Sequence, residues 1–162
     1  MSATSDDAAV LHRHADLPGL GLVLDDDALS RALGARVAVR RLRLKPGTSV
    51  RAAAAGEGGW WLVHGFTEAA FPAKAGKDVR HADRLGLPSV VLPDQLAVLV
   101  PSWADRALPG LGRLHTGLAA TGRGRAGHPE PVRCLSHNPS RRWVARTGPE
   151  GGERVLRLTA DA

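Results

Sequence analysis

Apolar residues alternate with basic ones from Val37 to Leu44, the pattern of a half-buried strand. Lys45-Pro46-Gly47 turns that strand, Ser49 to Ala54 returns, and Gly56-Glu57-Gly58-Gly59 turns again. Trp60-Trp61-Leu62-Val63-His64 makes a third strand, and tandem tryptophans in a strand point to opposite faces. One indole is therefore expected in a core and the other at a contact between lobes; a sugar-stacking platform is the weaker alternative. The same pattern closes the chain. Val132 to His137, Arg141 to Arg146 and Arg154 to Thr159 are short apolar runs, separated by Asn138-Pro139-Ser140 and by Gly148-Pro149-Glu150-Gly151-Gly152. Each set predicts an antiparallel three-stranded meander.

The two meanders resemble each other. Laying Pro46 on Pro139 without a gap also aligns Val39 with Val132, Arg40 with Arg133, Leu42 with Leu135, Ala52 with Ala145, and Glu57-Gly58-Gly59 with Glu150-Gly151-Gly152. That is 8 identities over 25 positions, where roughly two or three would arise by chance. The pattern predicts a duplicated sheet unit.

Between and before the meanders the period changes to that of helices. Asp25-Asp26-Asp27 followed by Ala28, Leu29, Ala32, Leu33 and Gly34 describes a short helix with an acidic start and a glycine stop. The three carboxylates read as a cap rather than as metal ligands, and Met1 to Asp7 as a frayed tail. Thr67 to Ala70 and then Ala73 to Leu85 read as helical, with Lys74, Lys77, Arg80, Asp83 and Arg84 opposite Ala75, Val79, Ala82 and Leu85. Ser89 to Leu92 and Gln95 to Val100 are two short strands, and Pro101 to Leu114 a loop entering a short helix. The expected architecture is α+β: two small antiparallel β-meander modules with a few short helices. Residues 1–35 form a tail and helix, 36–120 a first module, 121–127 a Gly/Arg linker and 128–162 a second module.

Composition narrows the chemistry only slightly. Net charge is +6, from 22 Lys and Arg against 16 Asp and Glu, which permits anionic partners without choosing among them. The cations are scattered and not interleaved with aromatics, so nucleic-acid binding is not the expected role. The lone Cys134 excludes an internal disulfide and suits a reducing compartment. No signal peptide and no bilayer-length apolar run is present, and a cytoplasmic protein with no membrane partner is expected.

Seven histidines invite a metal reading. His12 with His14 and Cys134 with His137 are spaced as pairs, yet they do not make the four clustered ligands of a closed zinc site. Cys134 has no local base and acid that would make it a nucleophile. Gly122-Arg123-Gly124-Arg125 is a weak phosphate-loop signal without a following helix. The turn Asn138-Pro139-Ser140-Arg141-Arg142 and Arg157 on the next strand form the stronger pattern. In kinase-type lobes a turn between the first two strands covers nucleotide phosphates and a cation on the third strand holds them. Arg157 reads equally well as the solvent-facing residue of an alternating strand.

The segments LRLKPGTSV, VLVPSWADRALPGLGRL, LSHNPSRRWVAR and GGERVLRLTADA together resemble the N-terminal part of aminoglycoside-phosphotransferase-like kinases, the group that includes maltokinase-like members. The resemblance spans most of residues 36–162 and implies a cap-like module followed by a kinase N-lobe-like sheet. It implies ATP with Mg²⁺ as cofactor, and a nucleotide near Asn138, Ser140, Arg141 and Arg142. Arg157 would stand in the place of the phosphate-binding lysine. Such kinases continue into a helical lobe with an H-G-D-x-x-x-x-N loop, and no His-x-Asp with the required Asn is present here. The chain is therefore expected to be the N-terminal portion of a small-molecule phosphotransferase, not catalytic alone, that awaits a C-terminal lobe. The alternatives are a non-catalytic binding or self-associating module derived from one and, more remotely, a basic nucleic-acid binder.

Overall fold

A computed structural model describes residues 5–120, 132–148 and 152–160. The chain opens with three helices where the sequence predicted a tail and one helix: α1 (Ser5–Arg13), α2 (Gly19–Leu24) and α3 (Asp26–Leu33). Ser5 to Asp7, expected to fray, belong to the first turn of α1. Capping explains α3. Asp25 accepts from the N–H groups of Asp27 and Ala28, each at 3.0 Å, and Gly34 ends the helix in the left-handed region at φ 65°. Asp26 is also committed, accepting the Val39 N–H at 2.9 Å. The acidic triplet is thus a helix start tied to the first strand.

Strands β1 (Val37–Lys45), β2 (Ser49–Gly56) and β3 (Gly59–Phe66) form the first meander. Helix α4 (Phe71–Arg84) follows, then β4 (Val90–Leu92) and β5 (Ala97–Pro101). The five strands are antiparallel in the order β1-β2-β3-β5-β4. Period-2 alternation gives the sheet two buried faces. Val50, Val63 and Leu99 pack on Leu20 and Leu29 of α2 and α3. Leu62, Val98 and Val100 pack on Ala75 and Ala82 of α4. Trp61 takes the first of these faces and Trp60 the second, as tandem strand residues must.

After a 3₁₀ turn at Ser102–Ala104 comes α5 (Pro109–Ala120), and then β6 (Arg133–Asn138), β7 (Arg142–Thr147) and β8 (Arg154–Thr159). These three strands form a second antiparallel sheet in the order β6-β7-β8. Its inner face sets Trp143 and Ala145 against Leu108 and Leu111, with Trp103 alongside. Its outer face is open, and Val155 there is 68% exposed. The expected linker 121–127 lies outside the described residues, as does the middle of the turn at 148–152.

The fold is α+β, with the two meanders that the sequence predicted. The offset that lays Pro46 on Pro139 also brings the strand ends into coincidence. Lys45 falls on Asn138, Ser49 on Arg142 and Phe66 on Thr159, which are the matching ends of β1 and β6, β2 and β7, and β3 and β8. The turns agree too: Gly47 at φ 63° corresponds to Ser140 at φ 60°.

Candidate functional site

The two sheets meet at a cluster of charged and polar side chains gathered from five places in the chain. Asp78 projects from the buried face of α4 between Ala75 and Ala82. Its Oδ2 lies 2.8 Å from His64 Nδ1, and its Oδ1 accepts from Arg106 Nε at 2.6 Å. His64 Nε2 accepts from Arg51 Nε at 3.0 Å. That bond fixes the tautomer: Nδ1 carries the hydrogen and donates it to Asp78. Arg51 Nη1 also donates to Ser140 Oγ, across the joint between the sheets.

Asp105, in the segment before α5, holds the second sheet in place. Its Oδ2 lies 2.9 Å from His137 Nε2 and accepts the Ser140 N–H at 2.7 Å, while its Oδ1 accepts the Ala107 N–H at 3.1 Å. Asp105 and His137 are both buried, and charge-assisted bonds of this kind are the stronger ones. At the other end of the joint the Trp60 indole N–H donates to the Cys134 carbonyl at 3.2 Å. Trp60 is therefore a contact between the sheets.

Burial and neighbouring charge set the protonation of the cluster. Burial alone would raise both carboxylates. For Asp78 the hydrogen bonds from His64 and Arg106 and the Arg106 charge outweigh it, and for Asp105 the bonds from His137 and the Ser140 and Ala107 N–H groups do so. Both carboxyls are held below the usual range. His64 is pushed down, first by burial and then by the Arg51 charge, against the pull of Asp78. Burial pushes the Cys134 thiol up to about 12, so at neutral pH it is no nucleophile.

The residues singled out in the sequence divide into two groups. Asn138, Arg142 and Arg157 come together on the open face of the second sheet, by the pairings Asn138 with Arg142 and Val144 with Arg157. Arg133 and Arg146 share that face, with Arg146 bonded to Glu153 at 3.2 Å. Arg142 and Arg157 are exposed, as is Arg141 on the turn. Ser140 points the other way, its N–H and hydroxyl engaged by Asp105 and Arg51. The turn is thus anchored on the first sheet through Ser140 and presents cations on its outer side.

The sequence did not single out Arg51, His64, Asp78, Asp105 or Arg106, and it marked His137 only as half of a Cys-x2-His pair. One signal was present: Asp78 falls on the same helical stripe as Ala75, Val79 and Ala82, and an acid there is buried and must be paired. The other partners come from separate elements, and no spacing connects them.

Two spaces adjoin the joint. A cleft of about 130 Å³ is lined by Arg51, His64, Asp78, Asp105 and Arg106. A groove of about 750 Å³ runs between the sheets past Arg40, Glu57, Trp60, Trp103 and Arg133. Of these two, the groove has the size of a small-molecule site and the cleft does not. Among the described residues no group of three His, Cys, Asp or Glu could hold a metal ion, and no helix is long and apolar enough to cross a membrane.

No family model, no curated protein and no solved structure matches this chain.

Proposed function

We propose that this chain is the phosphate-binding front portion of an ATP-dependent small-molecule phosphotransferase, and that the open face of the second sheet receives the nucleotide. The carrying observation is the correspondence of Arg157 with His64 across the repeat. His64 stands on the third strand of the first unit and is paired with a carboxylate on the helix that follows. His64 is neutral, but its place matches the one at which kinase lobes hold a phosphate-binding cation, on the third strand and paired with the next helix's acid. Arg157 is the third-strand cation of the second unit, diagonal to Arg142 and on the same face as Asn138 two strands away.

These residues fit the phosphate end of ATP, since guanidinium forks pair bidentately with phosphate oxygens. They do not fit Mg²⁺, since among the described residues no group of three His, Cys, Asp or Glu could hold a metal ion. The groove at Trp60 and Trp103, walled by Arg133 at the β6 edge of the second sheet, offers a ligand-sized space for the nucleoside. The 162 residues hold no acceptor-activating H-G-D-x-x-x-x-N loop, so the reading is of binding, with transfer dependent on groups outside them. Calorimetric titration with ATP and Mg²⁺ tests it. The expected result is saturable binding that weakens at least about tenfold in Arg157→Ala, the loss of one charge-assisted contact. Absence of binding, or equal affinity in the variant, overturns the proposal.

A second reading has its own observation. Val155 and Leu135 are 68% and 46% exposed on the second sheet, and apolar residues so placed suit a non-catalytic module that associates with another lobe or a second copy. Analytical ultracentrifugation showing a strict monomer at high concentration removes the self-association form of that reading.

A further inference from the structure

The β1–β2 hairpin carries a concentration of cations that the fold does not explain. Arg43 lies directly across from Arg51, and Lys45 across from Ser49. Alternation puts all four on the sheet face that bears His64. Like charges directly opposite in an antiparallel pair destabilise it. Together Arg43, Lys45, Ser49 and Arg51 line a hollow of about 60 Å³ with no carboxylate in its wall.

Arg51 is the decisive member. Its two hydrogen-bond partners, His64 Nε2 and Ser140 Oγ, are both neutral groups. Burial is the main influence on it and works against its charge. Asp78 and Asp105 act on it only through space, because their oxygens are taken by His64 and Arg106 and by His137, Ser140 and Ala107. A partly buried cation without an anionic partner is costly, and the guanidinium has donors beyond the two engaged here. Among the described residues neither Arg43 nor Lys45 is ion-paired either.

We propose that this hollow is a binding site for a phosphoryl oxyanion, supplied by free phosphate or by the terminal group of a phosphate monoester. Its volume is roughly twice the share of one liquid water. That admits a tetrahedral anion and leaves the remainder of any larger ligand outside. Two guanidinium forks, an ammonium and the Ser49 hydroxyl supply directional donors on several sides. The site belongs to the first sheet alone, because the positions corresponding to Lys45, Ser49 and Arg51 in the second unit are Asn138, Arg142 and Val144. It stands apart from the nucleotide reading.

The test uses the full chain and inorganic phosphate, titrated at constant ionic strength and followed by amide chemical shifts, with chloride as control and glycerol phosphate as the monoester. Saturable shifts on Lys45 to Arg51 that chloride does not produce are expected. Arg43→Ala with Lys45→Ala should weaken binding at least about tenfold; Lys45 is exposed and Arg43 half-buried, and neither makes an ion pair among the described residues, so an unchanged melting temperature checks that the fold is kept. Tighter binding of the monoester than of free phosphate identifies a small organic phosphate as the natural occupant, and the reverse identifies the free ion. Arg51→Lys should keep the charge and lose affinity through the missing fork. Chloride-like behaviour of phosphate, or binding indifferent to the double variant, overturns the proposal. Phosphate binding here should survive Arg157→Ala, whereas failure of ATP to bind bears only on the nucleotide reading.

Discussion

At the scale of single residues, the joint between the two sheets rests on a few protonation states. His64 is a neutral Nδ1–H tautomer wedged between Arg51 and Asp78. Its folded value lies below the 6.5 of a free histidine, and those of Asp78 and Asp105 lie below 3.8. A depressed value means that the unfolded chain binds more protons, so each contribution is complete above the unfolded value and is lost as pH falls. Thermal melts should therefore show stability declining below about pH 6.5, as His64 is forced to charge, and again through the carboxylate range. A melting temperature that rises between pH 7 and 5.5 contradicts this assignment. Cys134 gives a second check. With its thiol pushed up to about 12, it should react with a thiol-specific reagent at neutral pH far more slowly than a free cysteine, and reach the free rate only on unfolding.

The elements show what a sequence pattern reveals and what it does not. α3, with its Asp25 cap and Gly34 stop, was legible because local chemistry sets both ends. The six strands of the two meanders were legible because Pro and Gly turns punctuate a period of two. α2 was not, because Gly19 and Gly21 lower helix propensity and conceal an almost wholly buried helix. Its reason is tertiary: a Cβ at Gly65 on β3 would sit 2.7 Å from Val50 Cγ1 and 3.2 Å from Gly19 Cα. The backbones of α2 and β3 meet closely there, and only glycine permits it. Gly65→Ala should lower stability by about 1–3 kcal/mol in denaturant titrations, the usual effect of overpacking. A neutral result would mean that α2 can move away from the sheet.

For the whole molecule, the organising fact is one strand-strand-strand unit used twice. In the first copy α2 and α3 cover one face and α4 the other; in the second, α5 and Trp103 cover the equivalent of the first face. The repeat was legible in identities around the turns. The joint was not, because Asp105 and its partners His137 and Ser140 lie far apart in sequence and share no motif. Asp105→Ala leaves those partners unsatisfied in a buried place and should lower stability by roughly 3 kcal/mol or more. Trp143 fluorescence should report the loosened second sheet before the first unfolds. The nucleotide reading belongs to this scale as well, since it assigns different work to the two copies: the first is closed by α4, the second open and lined with arginines. The most direct measurement is an amide chemical-shift map of the full chain titrated with ATP and Mg²⁺. Shifts concentrated on Asn138 to Val144 and Val155 to Leu158 are predicted, while an absence of shifts in those strands, with or without changes elsewhere, contradicts the account.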